Sequence, residues 1–249
     1  MNERLAALNA SAARLRSLGE GLSEDALSAS AYPTEWSVGD VFSHLGSAAT
    51  ILTHLFDDVV HQREAVPDVH TRVWSEWNAK HPSAQVAESL EADATLLERF
   101  DDLDEAGRDA FHLSLGPLEL DFAGVVGVRL NEHAVHTWDI EVAFTPSAVI
   151  PAAIAGPILG NLRMVTRFAA QPDGEPRSVH VRTSNPVHDL AIEIGAEACD
   201  LGVAQGPVDL ELPAEALVRL VYGRLDPKHA PVGVSGEVLE GLRRVFRGV

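Results

Sequence analysis

Asn131-Glu-His-Ala-Val-His-Thr-Trp-Asp139 lies inside a long apolar run, Phe122 to Phe144, that reads as one helix. Glu132 and His136 are four apart, so on a helix they stack on one face. Both are ligand types that zinc accepts. Val125, Arg129 and Asp139 lie near the same face, a polar seam in an otherwise apolar helix. Polar side chains on a core-facing stripe need partners, and a metal ion is one such partner.

A second stretch, Trp36-Ser-Val-Gly-Asp-Val-Phe-Ser-His44-Leu, supplies a further donor. Ser37 has the position of an N-cap, and Asp40, three residues on, that of its capping-box partner. The helix they open is expected to run to about Gln62. Val41, Ala48, Ile51 and Leu55 surround His44 on one stripe, which turns His44 toward the core. The set His44, Glu132 and His136 is then a catalytic-type zinc shell: three protein ligands and an open position. A hydrogen-bonded core histidine would give the same pattern at His44. Glu-x-x-x-His spacing also arises by accident, and the chain has no HExxH motif, since His133 is out of phase with His136. Spacing alone leaves both readings open.

Around these motifs the first part of the chain reads as helical. Leu5, Leu8, Ala12, Leu15 and Leu18 recur at helical spacing, and a break follows at Ala31-Tyr-Pro-Thr34. Further helices are expected over Asp68–Lys80, ending at the His81-Pro82 step, and over Ser83–Leu103. The latter carries Val86, Leu90, Ala94, Leu97 and Phe100 on one stripe. Gly107–Leu120 is expected to hold a short strand or loop. Four or more helices with modest loops suggest a bundle, a fold that builds metal sites between facing helices.

The texture changes near residue 175. Ser178–Thr183, Leu190–Ile194 and Val208–Leu212 alternate as strands do. Pro213 stands at the first turn of a helix, Ala214 to about Tyr222, and a last helix covers Ser235–Phe246. The fold class is thus α followed by α+β, divided as 1–150 and 151–249. The helix-like run Ala152–Phe168 suits either part.

The 249 residues carry a formal charge of −18, from 37 acidic and 19 basic side chains. Such a chain repels phosphate backbones and anionic membranes, so neither nucleic acid nor a membrane is an expected partner. Cys199 is the one cysteine, which excludes an intramolecular disulfide and a cysteine-rich metal site. Met1–Glu20 reads as a charged amphipathic helix rather than a signal peptide, and a cytoplasmic location is expected.

Pro33-Thr-Glu-Trp36-Ser-Val-Gly-Asp40-Val-Phe-Ser-His44-Leu and Glu132-His-Ala-Val-His136-Thr-Trp-Asp139 resemble the two metal motifs of DinB-like proteins of the mycothiol-dependent maleylpyruvate isomerase type. The C-terminal part resembles the sterol-carrier-like α+β domain fused behind them. The resemblance implies a four-helix bundle with His44, Glu132 and His136 as ligands of a divalent metal, expected to be zinc. It implies mycothiol as cosubstrate and a small electrophile as substrate. Thiolate addition would give cis–trans isomerisation or S-transfer. It also implies an arginine from the C-terminal domain, for which Arg224 in Val221-Tyr-Gly-Arg224 is the candidate, suited to pairing a carboxylate.

Two other classes stand beside this one. The same ligands permit a zinc-hydroxide hydrolase, with Asp139 as base or as the group orienting His136. A metal-stabilised module that binds a small molecule or lipid without turnover is the other. The remaining histidines, His70 among them, have no partner at ligand spacing, and Trp36 and Trp138 are expected to pack around the site.

Overall fold

The computed structural model describes residues 2–32, 35–64 and 66–248. Pro33 and Thr34 of the first motif lie outside them. The chain forms two compact units, Met1–Thr145 and Pro146–Val249.

The first unit begins with α1 (Asn2–Gly19) and a single turn, α2 (Glu24–Leu27). Then come α3 (Val38–Val60), α4 (Val69–Asn78), α5 (Pro82–Asp102) and α6 (Glu105–Ala110). A hairpin of β1 (His112–Leu115) and β2 (Leu118–Asp121) leads into α7 (Phe122–Phe144). The capping box is formed: Asp40 N–H donates to Ser37 Oγ at 3.1 Å, and Ser37 N–H donates to Asp40 Oδ2 at 2.9 Å. Asp121 is the N-cap of α7, its side chain accepting from Gly124 N–H at 2.6 Å.

α7 is the central helix. α1 packs on it, as does α3, which in turn packs on α5 and α4. One core joins Leu15, Phe42, Leu45, Val86, Leu90 and Ile140. At the other end Phe56, Phe100, Phe111 and Phe122 form an aromatic cluster. Gly46 marks the tightest helix approach: a Cβ there would lie 2.2 Å from Trp77 Cη2.

The buried stripe of α5 differs from the periodic reading. Leu96 rather than Leu97 enters the core, and Asp93 occupies the buried position between Leu90 and Leu96. Asp93 is there for its charge. Its carboxylate accepts from Arg129 Nη2 and, at 2.9 Å, from His133 Nε2. Arg129 Nη2 also donates to Leu45 O at 3.0 Å, and Ser11 Oγ lies 2.8 Å from His133 Nδ1. Side chains of α1, α5 and α7 and a carbonyl of α3 thus meet in one polar knot. Ser11, His133 and Asp93 have the order of a nucleophilic triad, but Ser11 is 1% exposed and His133 not at all. Closed off from substrate, they hold helices.

The second unit contains α8 (Ala152–Leu159), α9 (Leu162–Ala169), β3 (Arg177–Ser184), β4 (Asp189–Ile194), β5 (Cys199–Val203), β6 (Leu210–Pro213), α10 (Ala214–Val221) and α11 (Glu237–Val245). The sheet order is β5-β4-β3-β6, with β6 parallel to β3 and the other pairs antiparallel. The Ala152–Phe168 run is two helices, broken at Gly160-Asn161, both poor helix formers. Strand β5 was not expected, since Asp200 and Gly202 disfavour strands; it forms because Cys199 and Leu201 are buried. No helix among the described residues is long and apolar enough to cross a membrane.

Burial resists ionisation of Asp93, yet His133 and Arg129 overcome it and hold the carboxyl below its ordinary range. A lowered native pKa stabilises the fold above the unfolded value, and that stability is lost as pH falls through the native one. Asp93→Asn leaves Arg129 buried without its countercharge. It should cost about 3–5 kcal/mol at neutral pH, and the deficit relative to wild type should shrink in acid. Denaturant unfolding of both proteins across pH checks this; a pH-independent difference would contradict it.

Candidate metal centre

Trp36, His44, Glu132 and His136 reach the site from two places in the first unit. His44 lies in the second turn of α3, and Glu132 and His136 project from α7 one turn apart. The segment before α3 is pinned to α7. Tyr32 N–H donates to Asp139 O at 3.2 Å, and the Tyr32 ring meets Trp138 edge-on at 5.4 Å. Ala31 N–H closes on Trp36 O at 2.9 Å. The Trp36 ring therefore lies against both imidazoles, 5.1 Å from His44 and stacked on His136 at 5.8 Å.

One donor atom from each of His44, Glu132 and His136 lies within 4.8 Å of the others. Glu132 Oε2 stands 3.6 Å from His44 Nε2 and 3.6 Å from His136 Nε2, too far for hydrogen bonds. His44 Nε2 is shielded from solvent and has no hydrogen-bond partner. An orphaned imidazole nitrogen facing a carboxylate and a second imidazole is a donor set that a divalent cation satisfies. His136 is oriented from behind: its Nδ1 bonds Asp139 Oδ2 at 2.8 Å, and Asp139 is fully buried. This fixes the tautomer with the Nε2 lone pair toward Glu132, as metal-bound histidines require. Asp139 is thus a positioning group, and its burial does not suit it to act as a base.

The electrostatics follow from this packing. Burial lowers the pKa of His44 and outweighs the attraction of Glu132. Burial also opposes charge on Glu132, but His136 and His44 hold its carboxyl well below the usual range. For His136, burial is overcome by Asp139 and then Glu132, and its pKa rises. The site is poised with an anionic carboxylate between two rings.

The stripe around His44 lines a cavity instead of closing over the ring. A third of the His44 side chain remains exposed. The cavity, of about 190 Å³, has Ala48, Ile51, Leu52 and Leu55 of α3 on one wall. Leu115 and Leu120 of the hairpin, with Val125 and Val128 of α7, form another. Glu132 and Arg129 also line it, so Arg129 is both a wall of the cavity and the partner of Asp93, not of Glu132. His70 and Trp74 of α4 complete it. Neither was marked by spacing, because α4 contributes through the tertiary fold alone. Arg224, in the second unit, is buried and donates from Nη1 to Tyr222 O at 2.7 Å.

Residues 8–141 match the family model of the mycothiol maleylpyruvate isomerase N-terminal domain. The chain belongs to that family. Two crystal structures of the mycothiol-dependent maleylpyruvate isomerase are similar to it along most of their length. One covers 91% of this chain and 90% of its own, at 14% identity and a TM-score of 0.65. The other, a histidine-to-alanine mutant, covers 90% and 89%, at 14% identity and a TM-score of 0.64. At that identity the likeness is one of fold. No curated protein matches the sequence.

Trp36 is the tryptophan that touches both imidazoles. Cobalt(II) added to the metal-free protein should therefore quench tryptophan emission, saturating near one ion per chain. Trp36→Phe should bind the ion equally and lose most of the quench. Equal quenching in the two proteins would show that the ion sits elsewhere.

Proposed function

We propose that this protein is a divalent-metal-dependent enzyme of the mycothiol-dependent maleylpyruvate isomerase type. A low-molecular-weight thiol, mycothiol by family, adds to a small electrophile, with cis–trans isomerisation or S-transfer as the outcome. The observation that carries the reading is the convergence of His44, Glu132 and His136, with His44 Nε2 left unbonded. Two imidazoles and one carboxylate suit zinc.

A cation held there would lower the pKa of a thiol or water at its open position. The protein's own groups do the remaining work. Glu132 carries the negative charge that favours a cation between the rings. Asp139 holds His136 in the donor tautomer, and Trp36 restricts both rings. The apolar walls formed by α3, α7 and the hairpin keep water from the reacting groups. Arg224 is our candidate for pairing a carboxylate of substrate or intermediate, a role its two-pronged guanidinium suits. A cytoplasmic location fits a thiol-dependent reaction.

Elemental analysis should find about one metal per chain in wild type and little in His44→Ala, with thiol-dependent turnover lost together with the metal. Full activity in a metal-free His44→Ala protein would refute the mechanism. Turnover of esters without any thiol would favour a hydrolase instead. Arg224→Lys should keep the metal and lower kcat/KM about tenfold or more, the scale of a charge-assisted hydrogen bond. An unchanged kcat/KM would remove Arg224 from the site.

A further inference from the structure

The cavity beside His44 and Glu132 has a composition of its own. Its walls are mostly aliphatic, and the exceptions are few: the two ligand side chains, His70, Trp74 and Arg129. Arg129 is 3% exposed, and its Nη2 is committed to Asp93 and to Leu45 O. Its Nη1 is equally buried and has no hydrogen-bond partner. A buried donor left unpaired in the free protein is one that a ligand can satisfy. Trp74 lines the same cavity from α4 yet is 49% exposed, with the His70 ring edge-on at 5.8 Å. A half-exposed indole beside an apolar cavity is a surface on which a flat, unsaturated group can stack.

The charges decide which oxygen the cavity accepts. Arg129 is already neutralised by Asp93. A carboxylate placed against it would add a second anion to an aliphatic cavity that Glu132 also lines. A neutral carbonyl oxygen needs no countercharge and takes a hydrogen bond from the unpaired Nη1. The volume of about 190 Å³ suits a portion of a small molecule.

We propose that this cavity receives a neutral, unsaturated portion of the substrate, whose single acceptor oxygen takes the hydrogen bond of Arg129 Nη1. Any carboxylate of the substrate lies outside it. Only the word substrate rests on the metal-and-thiol reading; the binding site itself does not.

Ligand-observed NMR titrations without thiol, on metal-free and zinc-loaded protein, test this. The probes are cyclohex-2-enone, its oxygen-free counterpart methylenecyclohexane, and maleate. Cyclohex-2-enone should bind both forms, about tenfold more tightly than methylenecyclohexane, the order of one hydrogen bond. Ala48→Phe, which fills the cavity, should weaken the enone at least tenfold. Arg129→Lys should weaken the enone and spare the hydrocarbon. Maleate should not displace the enone. Unchanged enone affinity in Ala48→Phe, or displacement by maleate, overturns the proposal. Equal affinity of the enone and the hydrocarbon for wild type overturns the Arg129 contact, even if Arg129→Lys fails to fold. A wild type that takes up no zinc, yet still binds the enone, would sink the functional reading alone. Thiol-dependent turnover with unaltered enone binding in Ala48→Phe would sink this proposal alone.

Discussion

A buried guanidinium must be neutralised where it lies, and Arg129 is neutralised by Asp93. That pair does more than cancel charge. Asp93 also accepts a hydrogen bond from His133 Nε2, whose other nitrogen meets Ser11, while Arg129 reaches the Leu45 carbonyl. From α7 these bonds reach α1, α3 and α5, so α7 cannot rotate or slide without leaving a polar group unpaired in the core. Unpaired buried groups are costly, which gives the knot its directional force. Apolar packing of α3, α5 and α7 supplies most of the stabilisation but is tolerant of small rotations. The polar knot is not.

The setting of α7 then decides the candidate centre. Arg129 and His133 are on either side of Glu132 along the helix, so their anchoring aims Glu132 and His136 at His44. From the other direction, the Tyr32 contact to α7 fixes the start of α3 and the Trp36 ring. Asp139 serves both arrangements: its carboxylate orients His136, and its carbonyl receives Tyr32. Three donors on two helices meet without any strained backbone at their own positions. The cavity beside them is the space left where α4 and the hairpin cover the same faces of α3 and α7.

Much of this was written in local sequence. Ser37 and Asp40 marked the start of α3 because a capping box is a contact between near neighbours. Phe122–Phe144 declared its full length by composition, and Glu132 with His136 declared a shared face by spacing. Alternation revealed β3 and β4. The division into a helical part and an α+β part showed as a change of texture near residue 175, some way past the break at Thr145.

Other features depended on contacts that spacing cannot report. Asp93 lies off the apolar stripe that spacing picks out on α5, and its partners are 36 and 40 residues away. His133 showed only as out of phase with His136, its partners Ser11 and Asp93 being equally remote in sequence. β5 formed against its own residue preferences because its neighbour strand buried Cys199 and Leu201. His44 read as core-facing from its stripe, and only the packing of α4 and the hairpin made that stripe the wall of a cavity. The sequence by itself determined which residues could serve as ligands and which helices carried them, because helical periodicity is local. That the three donors converge, and that Arg129 Nη1 is buried without a partner, was decided by tertiary structure, because burial and pairing are properties of several helices at once.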